Sequence, residues 1–299
     1  MLSAWPPPGC SPEDCRPDVT ILVTGAGGNV GREVVRVLIA GGVPVRAAAA
    51  PAALAPGAEP VRLDFLDPTT FGQALTGVDG VFLMRPPAIA RLGPTLNRFV
   101  DAARASGVNH VVFLSVVGAD RNPVVPHHRV ERHLARHGPP ATLLRPSFFT
   151  QNLGDAYRRD LVEGDRLYVP AGDGRVAWVD VRDVAELAAL AFADPAGHAG
   201  RGYTLTGPEA VGFEHAATLL TAALGRPIRY EPAKLRAYVG HLRRRGLSAP
   251  QIAVQTLIHA NLRSGRGAGT DPALERILGR RPRTLADYVR DHAALWSRS

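Results

Sequence analysis

The chain has 299 residues, 45% of them hydrophobic, with a formal net charge of +8 and two cysteines. That suffices for one large α/β domain or for such a domain with a smaller lobe. No run approaches the ~18 apolar residues of a membrane span, and Cys10 and Cys15 alone make neither a disulfide framework nor a metal site. The basic excess is almost wholly arginine, Lys234 being the only lysine. Its one dense cluster, Arg243, Arg244 and Arg245, has no interleaved aromatics and reads as a solvated helix end rather than a nucleic-acid surface. Residues 1–17 lack the basic-then-apolar order of a secretory signal and read as a disordered leader, which fits a protein of the reducing cytoplasm.

In chain order, the apolar run Val19 to Val23 flows into Thr24, Gly25, Gly27, Gly28, Asn29, Val30 and Gly31. An amphipathic helix follows, with Val30, Val34, Val37 and Leu38 at helical spacing. Strand, glycine turn and helix make a dinucleotide site. Gly25 serves the tight turn, Gly28 lets backbone approach a pyrophosphate, and Gly31 lets the helix pack on the sheet. The helix N-terminus offers free N–H groups and a positive dipole end. Strands are then expected at Val43 to Ala49, Ala58 to Leu63, Gly80 to Met84, His110 to Leu114 and Ala141 to Leu144. The helices between them are expected at Thr69 to Leu75, Pro94 to Ser106 and Pro126 to His137. Strands alternating with helices predict a doubly wound, Rossmann-type parallel sheet over 18–150. Beyond Arg145 the rhythm changes. A strand at Arg175 to Val179 and a helix at Val181 to Ala193 are read as returning to the large domain. Short strands at Tyr203 to Thr206 and Ile228 to Glu231, a helix at Phe213 to Leu224 and further helices are placed in a smaller, mostly helical lobe over 151–299.

Four segments together carry a family resemblance: T-G-A-G-G-N-V-G at Thr24 to Gly31; V-V-F-L-S-V-V-G-A-D at Val111 to Asp120; H-H-R-V-E-R-H-L at His127 to Leu134 with L-L-R-P-S-F-F-T-Q-N-L at Leu143 to Leu153; and W-V-D-V-R-D-V-A at Trp178 to Ala185. In these the chain resembles the NmrA-like group of atypical short-chain dehydrogenases/reductases, which includes quinone reductase-like enzymes. The wider superfamily places a Tyr and a Lys four residues apart about a dozen residues after a Ser. Here Ser115 keeps the Ser, while the Tyr/Lys positions hold His127 and Glu131, as in quinone reductase-like relatives. Those two share one helix face; an imidazole there can donate to a carbonyl, with Glu131 raising its pKa, and an interlobe or surface pair is the alternative. Tyr230 and Lys234 also stand four apart, but follow a short strand far from Ser115 and are set aside.

The resemblance further implies NADP as cofactor, with NAD possible. The position that reads the ribose, ~20 residues past the glycines, falls in R-A-A-A-A-P, where Ala50 replaces the expected Arg and Arg46 lies earlier. Asp64 would bond the adenine or cap a turn. Met84, Arg85 and Pro86 would border the nicotinamide ribose, with Arg85 able to meet an anionic substrate or a phosphate. Pro146, Ser147, Phe148 and Phe149 would wall the nicotinamide, the two Phe being equally suited to a core, and Asn152 would touch substrate. The function expected is an NAD(P)H-dependent reductase of a quinone, enone or aromatic ketone, suited to natural-product tailoring. A redox-sensing dinucleotide-binding regulator without turnover and a nonreductive tailoring enzyme are the alternatives. The partners expected are a small aromatic or quinone substrate and, as an open option, a second copy in a homodimer; no metal, nucleic acid or membrane is expected.

Overall fold

A computed structural model describes residues 19–50, 54–85 and 93–298. The expected leader, both cysteines and Pro86 lie outside the described residues. The chain forms two compact units, the first running through Pro146 and adding Val181–Leu205, the second comprising Ser147–Asp180 and Thr206–Ser299.

The first unit is built on β1 (Ile21–Thr24), α1 (Asn29–Ala40), β2 (Val45–Ala48), β3 (Ala58–Pro60), α2 (Phe71–Leu75), β4 (Gly80–Met84), α3 (Arg98–Ala105), β5 (His110–Leu114), α4 (Pro126–His137) and β6 (Ala141–Pro146). With β10 (Gly202–Leu205) these strands form one seven-stranded parallel sheet in the order β10-β6-β5-β4-β1-β2-β3. β1 and β5 are buried at every residue, as strands covered on both faces must be. α1 turns Val30, Gly31, Val34, Val35 and Leu38 inward and packs beside α6 (Val181–Ala193), whose buried Ala185, Ala188 and Ala189 permit close approach. The strand order reverses between β1 and β4, and ligands of open α/β sheets bind outside the carboxyl ends of the strands at such a switch point.

The second unit holds a three-stranded sheet of β7 (Phe148–Phe149), β9 (Arg175–Val179) and β11 (Ala210–Gly212), and a pair, β8 (Arg166–Val169) with β12 (Arg229–Pro232). Around them lie α5 (Arg158–Gly164), α8 (Phe213–Leu224), α9 (Leu235–Arg244), α10 (Ala249–Arg263), α11 (Ala273–Leu278) and α12 (Leu285–Asp291). Trp178, Phe213, Leu220, Tyr238 and Trp296 are buried in its core. The Tyr230 hydroxyl donates to the carbonyl of Gly172 at 2.9 Å and its ring stacks on Phe213, a packing role.

Several expectations change. The stretch 175–193 divides at Asp180: β9 pairs with β7 and β11 in the second unit, while α6 belongs to the first. The strand placed in the smaller lobe at Tyr203 to Thr206 is β10, an edge of the main sheet beside β6. Between α6 and that edge lies α7 (Pro195–His198), a single turn capped by Asp194. β3 ends early, at Pro60, on the outer edge of the sheet, where proline is tolerated; one more bond, from the Val61 N–H to the Ala47 carbonyl at 3.1 Å, follows it. The expected helix at Thr69 opens as a 3₁₀ turn over Pro68–Thr70 capped by Asp67, and the one at Pro94 opens as a π turn over Gly93–Asn97. Among the described residues no helix is long and apolar enough to cross a membrane.

Candidate active site at the carboxyl edge of the parallel sheet

The glycines of the first turn do different work. Gly25 has φ +64°, which favours glycine, and a Cβ there would lie 2.6 Å from Met84 Sδ, so the Met84 side chain would have to shift as well. A Cβ on Gly31 would come 2.2 Å from the Gly25 carbonyl oxygen. Gly28 differs: its φ is −84° and a Cβ would meet only the Gly25 oxygen, at 3.4 Å. Nothing within the chain demands glycine at this exposed position, whereas a phosphate approaching the backbone does. Gly28 caps α1 without a side chain, no acidic residue stands in the first turn, and the first N–H groups of the helix have no partner within it. The residues therefore fit a dinucleotide pyrophosphate. Gly27 is half-buried and Asn29 exposed beside it, and Arg32 donates to the Gly27 carbonyl at 3.0 Å.

Two expected contacts turn inward. The buried Thr24 hydroxyl donates to the Phe82 carbonyl and accepts from the Met84 N–H, stitching β1 to β4. The Val30 side chain is core, which leaves only its N–H at the helix start.

At the end of β2 a groove of about 450 Å³ is lined by Ala48, Ala49, Ala50, Pro60, Val61, Arg62 and Leu63. Arg46 does not serve it: its guanidinium is held by Glu59 at 3.3 Å and by the Thr76 carbonyl at 2.6 Å. Arg62, absent from the residues chosen by sequence, is the basic group that lines the groove. It is 80% exposed and only 3.8 Å from Asp67, a pair too loose to occupy it. Asp64 accepts the Leu66 N–H at 2.8 Å and so caps a turn.

Beyond β5 the polar residues form one buried cluster. The Ser115 hydroxyl donates to Glu131 Oε1 at 2.5 Å. Arg145, on β6, donates to the same carboxylate through Nε at 3.0 Å and Nη2 at 2.8 Å. Ser115 is 2% exposed and Glu131 6%. The glycine at 202 makes room, since a Cβ there would sit 2.6 Å from Arg145 Nη1. The Glu131 contact raises the Arg145 pKa. Ser115 thus spends its proton on Glu131, and Glu131 is committed to Arg145 rather than to His127. Arg145 went unnoticed in the sequence, though an Arg within L-L-R-P, between buried strands, signals a charge that needs a partner.

His127 lies on α4, its ring 6.1 Å from Phe113, with Nδ1 buried and without a hydrogen-bond partner. Burial pushes its pKa down to about 4, the Arg85 charge adds to this, and Glu131 opposes both. The expectation that Glu131 raises the imidazole pKa is therefore corrected: burial and Arg85 prevail, and the ring is neutral at pH 7. Pro146 closes β6 and its carbonyl accepts the Val117 N–H at 3.1 Å.

Phe148, Phe149 and Asn152 belong to the second unit. Phe148 meets Trp178 edge-on at 5.0 Å and packs on that unit's core. Phe149 pairs with Val179, the Ser147 hydroxyl donates to the Ala177 carbonyl, and the Asn152 carbonyl accepts the Tyr157 N–H at 3.0 Å. The first unit alone thus brings together Gly27, Gly28, Asn29, Met84, Arg85, Ser115, His127 and Glu131 along one sheet edge.

The NmrA-like family model matches residues 17–287. The chain belongs to the NmrA-like family. Within it, the chain is 32% identical to the NAD(P)H azoreductase of Xenophilus azovorans, over 92% of this chain and 98% of the relative. It is 35% identical to the (4-alkanoyl-5-oxo-2,5-dihydrofuran-3-yl)methyl phosphate reductase of Streptomyces griseus, over 91% and 98%. Among solved structures, an Escherichia coli NADPH-dependent quinone oxidoreductase complexed with NADPH superimposes with a TM-score of 0.75 at 27% identity, covering 91% of this chain and 99% of that one. The family relationship is thus to NAD(P)H-dependent reductases.

Proposed function

We propose that this NmrA-like protein is an NADP(H)-dependent reductase of a quinone, an enone or an aromatic ketone, acting in natural-product tailoring. The observation that carries the reading is Gly28, a glycine with no internal cause, placed on the same sheet edge as the half-buried, neutral His127. The relatives' names, an azoreductase, a dihydrofuran-methyl phosphate reductase and a quinone oxidoreductase, support a small unsaturated acceptor.

In this reading the N–H groups of Asn29 and Val30 at the start of α1 hold the pyrophosphate, and Arg62 in the alanine-lined groove selects the 2′-phosphate of NADP. Bound NADPH supplies the hydride. His127, neutral at pH 7, offers a ring N–H to the acceptor oxygen and stabilises the charge that grows there. It does not deliver a proton as an imidazolium, and the last proton comes from solvent. Ser115 and Glu131 touch neither acceptor nor cofactor; with Arg145 they position the β5 end and α4, and hence His127.

Purified protein mixed with NADPH and a panel of quinones and enones tests this through the absorbance of the reduced nicotinamide. Turnover is expected with at least one acceptor, falling about 100- to 1,000-fold in His127→Ala, the range for one lost transition-state hydrogen bond. Tight NADPH binding with no oxidation across the panel would overturn the reductase reading in favour of a dinucleotide sensor.

A further inference from the structure

Arg85 is the first residue past β4. The register pairs Met84 with Leu114 on one side and, continued from Val23 and Phe82, sets Gly25 beside Met84 on the other, where the Met84 side chain borders Gly25. One step further, Arg85 stands between the glycine turn and Ser115, at the sheet edge that also carries His127. Other half-buried arginines of this unit are engaged, Arg36 by Glu33, Arg46 by Glu59 and two carbonyls, and Arg145 by both oxygens of Glu131. Arg85 is half-buried, and among the described residues no carboxylate or carbonyl pairs with it. A guanidinium taken partly out of water without a counter-charge is costly, and burial already lowers its pKa. Its charge also disfavours the protonated form of His127.

We propose that Arg85 is the recognition group for an anionic substituent, a phosphate, sulfonate or carboxylate, on the acceptor that this reductase reduces. The inference rests on the reductase reading and adds the substrate's charge to it. The cofactor's own phosphates are provided for elsewhere. The pyrophosphate has the N-terminus of α1, and the 2′-phosphate has the groove at the ends of β2 and β3, two strands from β4 and hence about 10 Å away. What remains beside Arg85 is the half of the edge that holds His127. There a bidentate guanidinium–anion contact would fix one end of the acceptor while the imidazole N–H meets its reducible oxygen.

The test is calorimetric titration of the protein saturated with oxidised NADP, in which no hydride can move, using naphthoquinone sulfonate and the neutral menadione. The sulfonate should bind about tenfold more tightly than menadione, with the preference shrinking as salt rises. Arg85→Gln should abolish the preference and Arg85→Lys retain part of it, while affinity for NADP changes by less than about twofold. Equal affinities in the unaltered protein overturn the proposal. So does an Arg85→Gln variant that keeps the sulfonate preference but loses NADP affinity, which would make Arg85 a cofactor ligand. Failure of the reductase reading shows separately, as NADPH left unoxidised by both quinones while the titrations still report on Arg85.

Discussion

Replacing Glu131 with Gln separates support from chemistry in the buried cluster. The change keeps the side-chain shape but leaves the Arg145 guanidinium, 14% exposed, without its counter-charge. It weakens two charge-assisted hydrogen bonds and the 2.5 Å contact from Ser115. Breaking one partner of a buried pair costs about 3–5 kcal/mol when the remaining charge is stranded. Gln still accepts one hydrogen bond, so the loss should be about 2–4 kcal/mol, or roughly 5–15 °C in the melting of the first unit. Far-ultraviolet circular dichroism is the suitable probe, because Trp178 and Trp296 are both buried in the second unit and their fluorescence reports on that unit rather than on the Glu131 cluster. The double variant Glu131→Gln/Arg145→Met should recover at least half of the loss, since no buried charge remains. Ser115→Ala should lower stability by about 1 kcal/mol and leave kcat within about threefold. A Glu131→Gln loss under about 1 kcal/mol, or a double variant as unstable as the two singles added, would refute the assignment of Glu131 to Arg145.

Gly31→Ala, which drives a Cβ toward the Gly25 carbonyl, should cost about 1–3 kcal/mol in stability. Gly28→Asp should keep the fold yet lose NADPH affinity by about tenfold or more, as measured by fluorescence titration; unaltered affinity would remove Gly28 from the cofactor site. Arg62→Ala should weaken NADPH binding about tenfold and leave NADH unchanged, and equal effects on both would deny it the 2′-phosphate. His110, His127 and His259 all have folded pKa values near 4, below the ordinary 6.5, chiefly because they are buried. The unfolded chain then binds more protons between pH 6.5 and 4, so the histidine contribution to stability is full above 6.5, falls as pH drops through that window, and levels off below 4. Each histidine contributes a slope of about 1 kcal/mol per pH unit. Urea midpoints measured across that window should fall steadily, and a flat profile would contradict burial of the neutral rings.

Much of the first unit is legible in the sequence because its elements are locally self-consistent. β4, β5 and α4 occupy the bounds their patterns predict: two uninterrupted apolar runs, and a helix with Pro126 at its first position and Arg136 and His137 in its last turn. β10 is different. Its burial mixes exposed, half-buried and buried residues, so four residues do not name the sheet they join; β6 does that from across the chain. The site divides in the same way. Spacing shows that His127 and Glu131 share a helix face, but the carboxylate goes to an arginine on another element, and long-range pairing leaves no periodic trace. The glycine pattern already assigns Gly25 to the turn, Gly31 to packing and Gly28 to a phosphate, and the structure adds the reasons: the positive φ of Gly25, the Gly25 carbonyl against Gly31, and room for a Cβ at Gly28.

The order in which the chain visits its two units bears on how it is made. The main sheet lacks its β10 edge, and α1 lacks the α6 helix beside it, until Leu205 has been synthesised. At about 5–20 residues per second the nascent dinucleotide half waits on the order of ten seconds after β6 with its flank open, while Ser147–Asp180 is threaded out first. A shortened gene ending near Pro146 would therefore yield an incomplete, aggregation-prone product. An autonomous first unit needs Val181–Leu205 rejoined to it by a linker that replaces the excursion.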